Sequence, residues 1–199
     1  MFSCYLCERL IIVRHNKTSR SNREILKAAE GKSVADVIAS DLKVIFCGIN
    51  PGLYSAAVQH HFARPGNRFW PTLFRAGFTP RLFHPAEEKE LLALGCGITN
   101  IVNRATAAAD QLNPEDLVQG GRKLKVKIRK FKPWFLAILG MEAFRRAFEQ
   151  PQADPGLQEL VIGTTRIWLL PNPSGLNAAY QAGDLKVLLK ELRLAAMKG

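Results

Sequence analysis

The chain has 199 residues, 47% of them apolar, which is enough to bury the core of one domain and too apolar for a disordered chain. Its formal net charge is +11, a balance that suits a polyanionic partner, nucleic acid before anionic lipid. No apolar run approaches ~20 residues, so no membrane span and no membrane partner is expected.

The charge is uneven. The first 32 residues carry seven Lys/Arg against three acids, and RKLKVKIRKFK at 122–132 carries seven basic residues and no acid. Residues 1–30 read as a basic N-terminal extension, a possible flexible arm, followed by a single domain over 34–199. The opening MFSCYLCERLIIV lacks an A-x-A cleavage site and is not read as a signal peptide. Cys4 and Cys7 form one CxxC, but no second CxxC completes a zinc site, so no metal is expected. With Cys47 and Cys96 they read as reduced thiols of a cytoplasmic protein.

In chain order, LKVIFCG (42–48) reads as a strand, being β-branched and bounded by Asp41 and Gly48. NRFWPTLFRAG (67–77) reads as a helix with Asn67 as N-cap, Pro71 in the first turn and Gly77 as stop. HPAEEKELLALG (84–95) reads as a short helix with acids near its start. GCGITNIVN (95–103) is an apolar segment whose type the pattern leaves open. In 113–133, Asn113 caps a helix and Pro114 takes its first position. Leu117, Leu124, Ile128 and Phe131 share one stripe, so the Lys/Arg of 122–132 face solvent. WFLAILG (134–140) is a buried strand, MEAFRRAFE (141–149) a helix, LQELVIG and TRIWLLP two strands around a turn, and 184–199 the closing helix. Strands alternating with helices define an α/β layer fold with a mostly parallel sheet.

Two strands end in similar loops: GINPG after the first, PNPSGLN after the last. Sheets of this class place ligands beyond the carboxyl ends of their strands. In the first loop, Pro51 stiffens the backbone and Gly48 and Gly52 free it, so Asn50 sits on a rigid rim. Its neutral amide can orient water or a flat polar ligand, though an ordinary strand-to-helix turn has the same composition. No GK[ST] ending makes it a phosphate loop. In HHFARPGNRFW (60–70), adjacent His60 and His61 point in different directions and make no metal pair. Phe62 stands in a polar loop, where it either stacks on a planar base or packs beneath the loop. Leu176, on a Gly-flanked turn, is a wedge for a base stack or a side chain that folds back on the core.

Six segments, GINPGL (48–53), HFARPGNRFW (61–70), GITNIVNR (97–104), GGRKL (120–124), LAILG (136–140) and LPNPSGL (170–176), come in one order. In that order and spacing, the chain from about Val34 onward resembles the mismatch-specific uracil-DNA glycosylases, which include the thymine-DNA glycosylases. The resemblance implies a three-layer uracil-DNA glycosylase-like α/β fold, with a central mostly parallel sheet between helices. It also implies a monomer without cofactor that flips uracil, ethenocytosine-like adducts or thymine opposite guanine out of double-stranded DNA and hydrolyses the N-glycosidic bond. Asn50 matches the catalytic Asn that positions water. Gly48, Ile49, Phe62 and Asn172 match residues around the base. Gly175, Leu176 and Asn177 match the loop that fills the vacated space and contacts the opposite guanine. Asn100, together with His60-His61, resembles the thymine-acting relatives. A rival reading is a catalytically silent binder of mismatched or abasic DNA.

Overall fold

The computed structural model describes residues 21–175 and 180–198. Five strands form one sheet: β1 (Val44–Gly48), β2 (Cys96–Asn100), β3 (Phe135–Leu139), β4 (Gly156–Ile162) and β5 (Thr165–Leu170), in the order β2-β1-β3-β5-β4. All pairings are parallel except β4 with β5. Every residue of β1, β2 and β3 is buried. Both faces of these strands are covered, which is why β1 and β3 read as apolar runs without alternation.

Alternate side chains feed two cores. Val44, Phe46, Phe135 and Leu139 pack against Phe69, Trp70 and Leu73 of α3 (Phe69–Arg75) and against Leu185, Leu189 and Leu192 of α6 (Ala182–Lys198). Ile45, Cys47, Leu136 and Ile138 meet Leu117, Leu124 and Ile128 of α4 (Pro114–Phe131) and Phe144 of α5 (Met141–Ala147). Phe46, Phe69, Phe135 and Phe144 are wholly buried, each contributing roughly 1.5–3 kcal/mol. This is the three-layer arrangement the sequence implies.

Local chemistry sets the ends. The Asn113 side chain accepts from the Asp116 N–H at 2.7 Å, while Asp116 accepts from the Asn113 N–H at 3.1 Å, a reciprocal cap that starts α4. Gly120 and Gly121 lie inside α4, because the helix starts six residues before GGRKL. A Cβ on Gly120 would reach the Ile101 carbonyl, and one on Gly121 the Ala147 carbonyl, so the pair lets α4 press against the sheet rim and α5. Asn67 does not occupy the N-cap of α3, which falls to Arg68; its Oδ1 accepts from the Phe69 N–H at 2.9 Å in a turn leading into the helix.

The structure settles one stretch and refines two others. Residues 95–103, left open by pattern, contain β2; Gly97 has no side chain, so the Val37 carbonyl approaches to bridge Ile98. Pro85–Leu94 winds as a 3-10 helix. The domain also begins before Val34. Residues 21–27 are helical (α1), Ala29 is buried among Val34, Ala56 and Ala105, and the Gly31 N–H donates to the Ala105 carbonyl at 3.0 Å. A small apolar contact thus brings 21–31 onto the domain. Residues 1–20, with Cys4 and Cys7, lie outside the described residues. One further helix, α2 (Leu53–Val58), follows the first Asn-Pro loop. No helix among the described residues is long and apolar enough to cross a membrane.

Gly121→Ala tests the α4–α5 approach. Adding a methyl inside an exposed helix gains about 1 kcal/mol in propensity. Here the overpacking against Ala147 dominates, and urea denaturation should show a net loss of about 1–3 kcal/mol. An unchanged or increased stability would show that the helices separate freely.

Candidate active site

β1 is the strand at which chain order reverses, with β2 on one side and β3 on the other. The loops leaving its carboxyl end therefore border a crevice. The loop 48–52 is zipped to the loop after β2: Ile101 N–H donates to Gly48 O (2.9 Å), Val102 N–H to Ile49 O (2.9 Å) and Thr106 N–H to Pro51 O (3.2 Å). Ile49 fits over Gly140 after β3, where a Cβ would lie 2.7 Å from its side chain.

Asn50 stands at the centre of this zip. Its Nδ2 donates to the Arg104 carbonyl at 3.0 Å and to Thr106 Oγ1 at 2.7 Å, and approaches its neighbour's Pro51 carbonyl at 3.3 Å. The Thr106 hydroxyl proton is spent on the Ala108 carbonyl at 2.7 Å, so its oxygen is available only as an acceptor. These contacts fix which end of the amide is which. The NH₂ is committed to protein, leaving Oδ1 to accept from a molecule in the crevice.

The second segment, 60–64, is held more tightly still. The His61 N–H donates to Glu88 Oε2 (2.8 Å) and His60 Nδ1 lies 3.1 Å from Glu88 Oε1. The Ala63 N–H donates to Ser55 Oγ (3.1 Å), and Trp70 Nε1 donates to the His61 carbonyl (3.1 Å). The His60 ring meets Glu88, whereas the His61 ring meets the Ala35 carbonyl. Between these anchors Phe62 adopts φ 53°, a left-handed conformation that bulky residues rarely take. Such strain persists only where surroundings over-determine it, and it concentrates at functional sites. The Phe62 N–H has no acceptor among the described residues, although both neighbouring N–H groups do. The Phe62 ring stacks on Phe69, centroids 4.1 Å apart at 25°.

His61 is buried, and its Nε2 lies 2.9 Å from the Ala35 carbonyl. A carbonyl only accepts, so Nε2 carries the proton and Nδ1 accepts from Asn100 Nδ2 at 3.4 Å. Asn100 Oδ1 then faces Gly48. A Cβ on Gly48 would lie 2.5 Å from that oxygen and 3.2 Å from the Phe62 ring. Gly48 is glycine because Asn100 and Phe62 use its space.

The loop after β5 closes the other side. Asn172 Oδ1 accepts from the Ser174 N–H at 3.0 Å, turning the chain back. Gly175 packs on the 64–67 loop, where a Cβ would sit 2.8 Å from the Gly66 carbonyl. Leu176 and Asn177, the expected wedge and guanine contact, lie outside the described residues.

Together these loops enclose a cleft of about 770 Å³, lined among others by Ile49, Asn50, Phe62, Asn100, Asn172 and Tyr180. That is within the usual range of small-ligand sites, roughly 300–1,000 Å³. Of the residues named from sequence, Ile49, Asn50, Phe62 and Asn172 share this cleft; Gly48 lies behind Asn100 and Phe62, and Gly175 stands beside the lining rather than in it. Sequence reasoning missed Thr106, Glu88 and Arg68. Glu88 reads as a helix-dipole acid near Pro85, whereas it is buried and turned onto His60 and His61. Among the described residues no three His, Cys, Asp or Glu side chains gather as metal ligands would.

The profile of the Uracil DNA glycosylase superfamily matches residues 35–193 of this sequence. The chain belongs to that superfamily, and its role is that of a DNA glycosylase. The fold is similar to the solution structure of a candidate uracil DNA glycosylase from Methanosarcina acetivorans, with a TM-score of 0.52 at 15% identity over 82% of this chain and 98% of that one.

Burial pushes the His61 imidazole below its ordinary value of 6.5; the Ala35 hydrogen bond and the Glu88 and Asp36 charges oppose this, and Lys127 adds to it. The unfolded chain therefore binds a proton at His61 more readily than the folded one. The contribution of His61 to stability is complete above about pH 6.5 and is lost as pH drops below it. Thermal melts between pH 7 and 5 should decline less steeply for His61→Gln than for the unaltered protein. Parallel declines would assign the pH dependence elsewhere.

Proposed function

We propose that this protein excises uracil, ethenocytosine-like adducts and, less readily, thymine, from pairs with guanine in double-stranded DNA, by hydrolysis of the N-glycosidic bond. The observation that carries this reading is the Asn50 amide, its NH₂ committed to Arg104 and Thr106 and its oxygen left for the cleft. Water accepted there would lie beneath an extruded base. As the bond breaks, its electron pair leaves with the base and positive charge develops on the sugar. The Phe62 N–H, preorganised by its anchored neighbours, suits a donor to the departing anion. The water oxygen joins C1′ and its proton passes to solvent, because a neutral amide is not a strong base.

That chemistry favours bases that already leave well. Mispaired bases unstack at lower cost, which favours lesions opposite guanine. Asn100 presents a carbonyl oxygen at the Gly48 side of the cleft, which suits the N–H edge of a pyrimidine. Arg64, exposed at the cleft, suits a flanking phosphate. The basic end of α4 terminates beside Asp41, where the Asp41 N–H donates to the Phe131 carbonyl at 3.0 Å. That is the amino edge of β1, away from the cleft, so the 129–132 cations steer DNA by field rather than by contact. The described cysteines, Cys47 and Cys96, are buried and unpaired, which suits the reduced thiols of a cytoplasmic protein.

A labelled duplex with a single U·G pair, treated with alkali after incubation, should break at the uracil. Asn50→Ala should lower single-turnover excision roughly 100-fold or more. Thr106→Val, which removes the acceptor but keeps the shape, should lower it roughly 10-fold without weakening DNA binding. Binding with no cleavage by the unaltered protein would support a silent binder of mismatched or abasic DNA instead. Cleavage undiminished in Asn50→Ala would remove Asn50 from the mechanism.

A further inference from the structure

Arg68 has a role that neither the Asn-Pro loops nor the resemblance assigns. It stands immediately before α3, whose next two residues, Phe69 and Trp70, are locked in the core. Its backbone N–H donates to the Pro173 carbonyl at 3.0 Å. Its guanidinium is spread over the chain on both sides of residues 175–179. Nη2 donates to the Ser174 carbonyl at 2.7 Å, Nη1 to the Tyr180 carbonyl at 2.7 Å, and Nε approaches the Pro173 carbonyl at 3.5 Å.

We propose that Arg68 is a positioning residue that holds Ser174 and Tyr180 at a set separation at the mouth of the cleft. The proposal rests on the glycosylase reading for its consequence, not for its geometry. Bringing two separated points of a chain together has an entropic cost, and a side chain rooted beside a buried helix meets it with charge-assisted bonds to the Ser174 and Tyr180 carbonyls. Only a planar fork can do so; the ammonium of Lys is a single point that cannot span Ser174 and Tyr180 together. The close approach of Gly175 to the Gly66 carbonyl braces the Ser174 side against the 64–67 segment. Both Ser174 and Tyr180 line the cleft, so an error in their separation is felt where the base must enter.

Two variants and two measurements test this. Arg68→Met keeps the length and removes the donors; Arg68→Lys keeps the charge. In the DNA-free protein, amide hydrogen exchange at 172–175 and 180–181 should quicken by at least ~10-fold in both variants, while peptides from β1 and β3 keep their protection. In single-turnover assays both variants should lose ~30-fold in the maximal rate on a U·G duplex. On uracil in a single-nucleotide bulge, where no partner base is displaced, the loss should stay within about threefold. Unchanged exchange at 172–175 and 180–181, equal losses on both substrates, or full activity of Arg68→Lys would each overturn the positioning role. If the unaltered protein leaves the U·G duplex intact, the glycosylase reading fails, and the exchange measurement still decides whether Arg68 holds Ser174 and Tyr180.

Discussion

The Asn50 amide depends on a chain of single-choice hydrogen bonds. Ala108 offers a carbonyl, which can only accept, so the Thr106 hydroxyl gives its proton there and turns a lone pair to Asn50. Arg104 offers a second carbonyl to the same NH₂ group. An amide is nearly symmetric in shape, so packing alone would not choose between its two orientations. The choice is made by partners, and it leaves the oxygen toward the cleft. The tie is possible because β1 and β2 are parallel neighbours and their exit loops emerge side by side.

The Phe62 side of the cleft solves a different problem. A left-handed phenylalanine is unfavourable, and four hydrogen bonds from separate parts of the chain hold its two neighbours in place. Glu88 is central because one buried carboxylate serves both His60 and the His61 backbone. A buried carboxylate is tolerated only when its oxygens are satisfied, and here both are. The two sides of the cleft meet over Gly48, where the Asn100 oxygen and the Phe62 ring share the volume a side chain would fill.

What was legible from sequence follows the range of the interaction. Strand and helix positions follow from apolar period, Pro and Gly, which act within a few residues; hence β1, β3, α4 and the N-cap at Asn113 read correctly. Asn50 and Phe62 stood out because each breaks a local pattern. Thr106, Glu88 and Arg68 did not, because nothing near them in the chain announces a partner. Thr106 lies 56 residues from Asn50, Glu88 lies 27 from His61, and Arg68 lies 106 from Ser174. Arg68 looks like one more cation at a helix end until the last strand delivers its loop. Ala29 gave no signal for the same reason: its partners Ala56 and Ala105 are small residues from distant segments.

The three rim segments are thus held by three distinct devices: an amide zip after β1, a buried carboxylate beneath the histidines, and a guanidinium fork across the loop after β5. None of the groups that fix Asn50 titrates, since its partners are two carbonyls and a hydroxyl. A site built on a neutral amide gains little from pKa tuning and must draw its rate from geometry and from donors already in place. This explains why so much of the chain's long-range hydrogen bonding converges on one rim.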